Sequence, residues 1–319
     1  MKIAAILTLL VVINAGAAKG DNLVVGFNIP AGGSYTVASG INDLGTIVGS
    51  YVNTSSQQLG FALAGDSVTT LQMPGNSFTT AQGINDLGEV VGWAGSAGAL
   101  TEGFVYNNGT FTALAVPGAA STAAFGVNDQ GEVVGQYEAN GQQYGFIYNN
   151  GTFSTVEVPG ATGTAVFGIN DSGELVGGYC DKTCNSYSLG FAEANGVFTT
   201  VKYPGAEGTA VYGVNDVGDL VGSWGTTGIG DFGFVDIAGE MQTVTVGSST
   251  DSAVWGINDS DEIVGFWADP NASFHGFYGS VEPAPEPPTI CLFLVAGAFF
   301  LAMALAGRRS LSLRAKWTA

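Results

Sequence analysis

Six near-copies of one hexapeptide punctuate this chain at almost constant spacing, and nothing else in the sequence restricts its fold as much. The unit begins at Gly40, Gly83, Gly126, Gly168, Gly213 and Gly256, and the second copy reads Gly-Ile-Asn-Asp-Leu-Gly. The successive steps are 43, 43, 42, 45 and 43 residues. A period of that length marks a repeat architecture in which each unit buries its apolar face only against its neighbours. The 50 glycines fall at fixed places inside the repeat, which points to turns rather than to low-complexity disorder.

Within the second repeat, four extended segments alternate with turn signals. The segment Thr79 to Ile84 enters Asn85-Asp86-Leu87-Gly88, where the Asn side chain can bond its own backbone and the Gly accepts the left-handed conformation of a bulged type I turn. Glu89 to Trp93 follows, then a variable loop, then Gly103 to Tyr106. Asn107-Asn108-Gly109 reverses the chain into Phe111 to Val116, and Pro117-Gly118 ends the unit. Four short antiparallel strands per repeat match one blade of a β-propeller. The last repeat stops at Glu282 without its fourth segment, while Val24 to Pro30 at the front resembles that missing piece, with Ile29-Pro30 in the place of Val116-Pro117. The expected fold is therefore all-β: a six-bladed propeller over residues 22–282, closed by an N-terminal strand. An open β-solenoid is the competing architecture, and it would have to cap two free sheet edges.

The ends of the chain differ in composition from the body. Lys2, the apolar run Ile3 to Ile13 and the small residues Ala15, Gly16, Ala17 and Ala18 follow the plan of a secretory signal peptide, expected over residues 1–18. Export implies an oxidising compartment, and it gives Cys180 and Cys184 a meaning as a small-loop disulfide. Two thiols alone make a poor zinc site, and the sole histidine is His275. After Glu282 a proline-rich spacer, residues 283–288, leads into an apolar segment, residues 289–307. Its core from Thr289 to Ala306 would rise about 27 Å as a helix, enough to cross the hydrocarbon layer. Arg308, Arg309, Arg314 and Lys316 in the tail, residues 308–319, place it on the cytoplasmic side. Cys291 lies unpaired inside the apolar run.

Two resemblances follow from these residues. The repeat, with Gly-Ile-Asn-Asp-x-Gly, a Val-Val-Gly strand and a Gly-Phe strand, resembles the extracellular repeats called HAF-type over residues 23–281. Gly-Phe stands where those repeats carry Ala-Phe, and only His275-Gly276-Phe277 keeps the histidine. The resemblance implies an exported repeat protein and supplies no activity. Pro285-Glu286-Pro287, a single apolar helix and the Arg308-Arg309 pair resemble the PEP-CTERM sorting signal of bacteria. That resemblance implies an exosortase-type partner that cleaves near the motif, and an association with exopolysaccharide. A permanent membrane anchor is the alternative.

Charge narrows the partners. The body carries only Lys182 and Lys202 against 26 acidic residues, about minus 24, so phosphate backbones would be repelled and nucleic-acid binding is excluded as a function. The sequence holds no Gly-x-x-x-x-Gly-Lys loop, no Gly-x-Ser-x-Gly elbow and no His-Glu-x-x-His. His275 occupies the slot filled by Leu59, Glu102, Tyr144, Leu189 and Phe232 in the other repeats, which assigns it to packing. Glu89, Glu132, Glu174, Asp219 and Glu262 recur just after the hairpin, where carboxylates mainly solvate turns. Calcium is the one cofactor with a candidate site, at Asp259-Ser260-Asp261-Glu262, although the full Asp-x-Asn-x-Asp-Gly loop is lacking and Asp261 can simply replace the hairpin glycine. An aromatic residue ends each second strand: Tyr51, Trp93, Tyr137, Tyr179, Trp224 and Trp267. Each precedes the most variable loop, so this set is the candidate ligand platform, with packing between blades as the alternative use of the same rings. The function expected is a non-enzymatic, surface-displayed or secreted propeller serving as a binding or matrix component of the envelope. The alternatives are an extracellular carbohydrate-active enzyme and a purely structural filler of an exopolysaccharide matrix.

Overall fold

A computed structural model describes residues 10–11, 23–29, 32–96, 101–181, 189–247 and 249–281. All regular structure among them is β-strand. In the second repeat the strands are Phe78–Ile84, Val90–Gly95, Glu102–Asn107 and Thr110–Leu114, paired antiparallel in sequence order. The first hairpin folds as its residues dictate. Asn85 Oδ1 accepts from the Glu89 amide at 2.9 Å, and Gly88 takes φ of 79°. In the sixth repeat Asp261 stands in the glycine's place with φ of 57°, as the sequence suggests. The second hairpin turns on Asn108 and Gly109 with φ of 49° and 84°, both left-handed.

The two remaining sequence signals of the repeat, Val-Val-Gly and Gly-Phe, are two halves of one packing device. Phe61, Phe104, Phe146, Phe191, Phe234 and Phe277 are the largest of the fully buried side chains, one per repeat. Each ring lies over the glycine of the adjacent Val-Val-Gly strand. A Cβ at Gly222 would come to 2.0 Å from the Ala210 carbonyl oxygen and 2.7 Å from the Phe234 ring. No side chain fits there, so glycine is required by close approach rather than by backbone conformation.

Successive repeats are clasped by a threonine. Thr79, Thr122, Thr164 and Thr209 each accept, through Oγ1, the amide of the second residue beyond the preceding strand: Met73, Val116, Val158 and Tyr203. Thr36 accepts the Ile29 amide in the same way, at 3.4 Å. Ile29 therefore occupies the slot of Val116, as the sequence comparison of the two segments suggests. The N-terminal strand Leu23–Phe27 pairs antiparallel with Phe274–Ser280 of the last repeat, Leu23 opposite Ser280 and Phe27 opposite Gly276. A two-residue strand, Leu10–Val11, adds to its outer edge.

The fold is an all-β propeller, with one departure from the expected sheet count. Four repeats form discrete four-stranded sheets, whereas the first and last share a nine-stranded sheet that also holds the two N-terminal strands. The fusion rests on one parallel pair, Phe274 with Tyr35, whose rings are 5.4 Å apart. The strand Gly32–Ile41 is 10 residues long, longer than its counterparts such as Phe78–Ile84, but Tyr35 holds the place of Phe78, so the pair forms within the common length of the strand. Cys180 is disulfide-bonded. Its expected partner Cys184 lies outside the described residues, as do the segments 283–288, 289–307 and 308–319 and, apart from Leu10–Val11, the expected signal peptide.

Candidate functional site

The first strand of every repeat carries a β-bulge at the residue before the motif glycine, seen as a register shift between Ala81 and Gly83 and at the equivalent places. The glycines after the bulge pack against each other around the axis. A Cβ on Gly83 would lie 3.1 Å from the Gly126 Cα, and one on Gly256 would lie 3.1 Å from the Gly40 Cα. This mutual approach explains why the repeat keeps glycine at its first position. It also brings two further layers of side chains to the axis, one on each side of the glycines.

On the turn side, two closed rings of hydrogen bonds run through the Asn-Asp pair. Asn42 donates through Nδ2 to the Asn85 carbonyl at 3.0 Å, Asn85 to Asn128, Asn128 to Asn170, Asn170 to Asn215, Asn215 to Asn258, and Asn258 back to Asn42. The aspartates repeat the pattern one residue later: the Asp43 amide donates to Asp86 Oδ1 at 2.8 Å, and so on until the Asp259 amide reaches Asp43 Oδ1. Six carboxylates thus encircle one mouth of the axial passage. Burial pushes the Asp216 carboxyl above the usual range, and the charges of Asp171 and Asp259 add to the rise.

The carboxylates that follow the hairpin are structural ties. Glu89 accepts from Asn85 Nδ2 at 3.3 Å and from Asn107 Nδ2 at 2.6 Å, so it joins the first hairpin of its repeat to the second. Glu132 does the same with Asn128 and Asn149. Asp219 accepts the Ala238 amide at 2.8 Å, and Glu262 receives Asn258 Nδ2 and the Tyr278 hydroxyl. They bind structure more than they solvate turns.

On the other side of the glycines, toward the variable loops, stand Ser39, Gln82, Phe125, Phe167, Tyr212 and Trp255. With the glycine layer and Ile41, Ile84, Val127, Ile169, Val214 and Ile257 they enclose a cavity of about 130 Å³. Four of the six form a continuous aromatic arc. Phe125 and Phe167 are 5.3 Å apart, Phe167 and Tyr212 5.3 Å, and Tyr212 and Trp255 5.5 Å. Polar groups complete the wall. Ser39 is 5% exposed and its Oγ has no protein partner, Trp255 Nε1 is buried and likewise unpartnered, and Gln82 is buried. The Tyr212 hydroxyl accepts from Ser223 Oγ at 3.2 Å. Burial raises the Tyr212 hydroxyl above the ordinary phenol range, the Ser223 bond opposes the rise, and the charges of Asp231 and Asp251 add to it. Those two carboxyls are themselves raised by burial, Asp251 further by the charge of Asp231.

No family model matches the chain, and no curated protein matches it. Solved structures do. An Aleuria aurantia lectin in complex with Fucα1-6GlcNAc is similar with a TM-score of 0.51 at 10% identity, over 80% of this chain and 96% of the lectin. AofleA from Arthrobotrys oligospora gives 0.53 at 12% identity, over 84% and 90%. The β-propeller domain of the Trilobed protease from Pyrococcus furiosus, of open velcro topology, gives 0.51 at 8% identity, over 90% and 97%. At such identities the likeness is one of fold.

The aromatic set proposed from the sequence is not one surface. Counted from the Val-Val-Gly glycine, Tyr51, Tyr137, Tyr179, Trp224 and Trp267 fall two residues on, but Trp93 falls one residue on. Trp93 pairs with Thr80 and shares the slot of Ser223 and Phe266, on the opposite face of its strand; Ala94 holds the position of the others. The five in register are packed inward to different degrees. Trp267 is 6% exposed and stacks on His275 at 4.7 Å, and Tyr51 is 3% exposed. Trp224 stacks on Tyr203 at 4.6 Å with the rings 5° from parallel. Tyr137 and Tyr179 are half-buried and reach threonine hydroxyls, Thr155 and Thr200, at 2.9 Å each. His275 is held by Asn28 and by Asp269 Oδ2 at 3.4 Å, in the packing position expected for it. Among the described residues no group of three or more His, Cys, Asp and Glu side chains is placed to hold a metal ion, the Asp259 to Glu262 turn included. The axial arc was not singled out from the sequence. Its signal is the residue before each motif glycine, aromatic in four repeats of six.

Proposed function

We propose that this protein is an exported, non-enzymatic β-propeller that binds carbohydrate at the cell surface. The observation that carries the reading is the axial cavity, where a continuous arc of aromatic faces stands beside buried polar groups without partners. Sugar rings offer apolar C–H faces and a rim of hydroxyls, and an aromatic wall edged with free donors and acceptors complements both. A propeller lectin holding a fucose-containing disaccharide shares the fold, which is compatible with this use. Against catalysis stands the employment of the carboxylates: Glu89, Glu132, Asp219 and Glu262 are spent on structural bonds, whereas glycoside hydrolysis needs two free carboxyls facing each other across the substrate.

The nine-stranded sheet divides, in this reading, into a first blade and a last blade whose strands are paired, among the described residues, at Phe274 and Tyr35 alone, so the ring has six blades and the N-terminal strand completes the last. Residues 1–18 direct export. Pro285-Glu286-Pro287, the helix 289–307 and Arg308-Arg309 form a PEP-CTERM signal read by an exosortase, which releases the propeller to the surface or to an exopolysaccharide matrix. Binding of the purified full chain to a polysaccharide and glycan array tests the central claim: retention of at least one glycan supports it, and a blank array at millimolar ligand overturns it. Mass spectrometry of the C-terminal peptide from cells tests the sorting signal, since an intact residue 319 in all fractions would replace it with a permanent anchor.

A further inference from the structure

The axial cavity also limits what part of a glycan can enter. Its volume of about 130 Å³ is well below the 300–1,000 Å³ usual for sites that enclose drug-sized ligands, so there is room for one ring rather than a run of them. It lies on the axis, walled on every side by the first strands of the repeats. An internal residue of a polymer would need two exits for its chain, and the glycine layer with its Ile and Val ring narrows the passage on the turn side. A chain end needs only one.

The chemistry of the wall selects further. The aromatic residues Phe125, Phe167, Tyr212 and Trp255 occupy one continuous arc, and Ser39 and Gln82 close the ring opposite. A pyranose standing in the cup would lay one face on the arc and turn hydroxyls toward Ser39 Oγ, the Gln82 amide and Trp255 Nε1. Two of those three atoms have no protein partner, and an unpaired buried polar group is costly until something bonds it. Among the described residues no cationic side chain lines the cavity, the carboxylates Asp231 and Asp251 stand close to Tyr212, and six more ring the far mouth. A carboxylated or sulfated sugar would find no counter-charge there.

We propose that the cup formed by Ser39, Gln82, Phe125, Phe167, Tyr212 and Trp255 binds the terminal, uncharged pyranose of a glycan end-on. This rests on the carbohydrate-binding reading, and the experiment separates the two. The full chain, purified in a detergent without a sugar headgroup, is titrated with neutral methyl pyranosides, the matching uronic acids and a glycan array, with binding read by calorimetry and by tryptophan fluorescence from Trp255. At least one neutral methyl pyranoside is expected to bind and change the fluorescence, with its uronic acid weaker by tenfold or more. Ser39→Ala and Gln82→Leu leave the wall close to its original shape and remove its polar atoms, and each is expected to weaken binding by about fivefold to tenfold, the value of one buried hydrogen bond. Phe167→Ala is expected to abolish it. If Phe167→Ala fails to fold, the two polar variants decide. Array binding left unchanged in Ser39→Ala and Gln82→Leu, or equal affinity for internal and terminal residues, overturns the cup while leaving a carbohydrate-binding propeller. A blank array with the unaltered chain overturns both.

Discussion

Asn258 donates its side-chain amide to the backbone carbonyl of Asn42 at 3.1 Å, across 216 residues, and this bond is the last of a ring whose other members span a single repeat. The same asparagine donates to Glu262 Oε2 and accepts the amides of Ser260 and Glu262. One buried side chain therefore both shapes its own hairpin and joins the end of the chain to its beginning.

Asn258→Ala should be expensive for that reason. It takes the side-chain acceptor from the Glu262 amide and one of two donors from the buried Asn42 carbonyl, which keeps the Gly45 amide, at a cost of roughly 1–3 kcal/mol. Urea unfolding measures the effect, and a midpoint unchanged from the parent would show that the ring does not contribute to stability. The equivalent change at Asn85 should cost a similar amount, because the bonding pattern is the same.

Removal of the closing strand tests the ring at the other end. Deleting residues 22–30 takes out Val24, Phe27 and Ile29, which are 4%, 5% and 3% exposed, and leaves the edge of Phe274–Ser280 without a partner. The truncated protein should unfold at a markedly lower temperature and associate through that edge. A monomer with the parent's thermal midpoint would contradict closure by this strand.

Glycine has two distinct jobs here, and one comparison separates them. Gly222→Ala puts a Cβ 2.0 Å from a backbone oxygen, a clash that only a shift of the strand relieves, so a loss of about 3 kcal/mol or more is expected. Gly88→Ala meets open space and is strained only by its φ of 79°, for about 1–2 kcal/mol. Equal losses in thermal or urea unfolding would mean that Phe234 and its neighbours yield more readily than their burial implies.

Stability should rise as the solution is made mildly acidic. Burial holds the folded-state pKa of Asp216, Asp231, Asp236, Asp251 and Asp261 above the ordinary 3.8, with neighbouring carboxylates adding to the shift in all but Asp231. For a raised group the native state takes up protons first, so its stabilising contribution is present below 3.8 and lost as pH rises through the folded value. Glu207, exposed, and Asp269, half-buried, are shifted down by hydrogen bonds to their carboxylates and oppose this weakly. A thermal midpoint at pH 5 above that at pH 7.5, with a smaller difference in Asp251→Asn, is the expected outcome. A midpoint that rises steadily from pH 5 to pH 7.5 would reverse the sign.

Much of this architecture was legible because each signal had a local physical cause. Asn85, Gly88, Asn108 and Gly109 declare their turns through side-chain bonding and left-handed φ, and Ile29-Pro30 declares a strand end. The count of separate sheets was not legible, since it depends on one pair, Phe274 with Tyr35, at a strand position that carries no motif. Trp93 was misplaced by matching aromatic to aromatic; a period-2 count from Gly92 puts it on the other face of the strand. The axial arc was hidden for a different reason. The residue before the motif glycine varies from Ser39 to Trp255, and only the bulge, which the sequence does not announce, turns it to the axis.

The final prediction separates packing rings from binding rings. Trp267 is almost wholly buried against His275, and Trp224 lies flat on Tyr203 and 5.4 Å from Phe232, so both fill space inside the domain. Truncating the buried Trp267 to alanine should lower stability by about 3–5 kcal/mol, and truncating Trp224, half-buried but stacked between two rings, should cost nearly as much. Trp93 is packed edge-on to Phe78 but remains half-buried, in the slot whose occupants Ser223 and Phe266 touch the axial residues Tyr212 and Trp255 in later repeats. By that equivalence it stands beside Gln82, at the rim of the cup. Trp93→Ala should therefore cost less stability than the other two and should weaken glycan binding in the folded protein. Thermal unfolding alongside array binding of all three variants resolves the roles. Binding lost in Trp224→Ala at unchanged midpoint, with Trp93→Ala silent in both readouts, would return the ligand platform to the loops between the second and third strands.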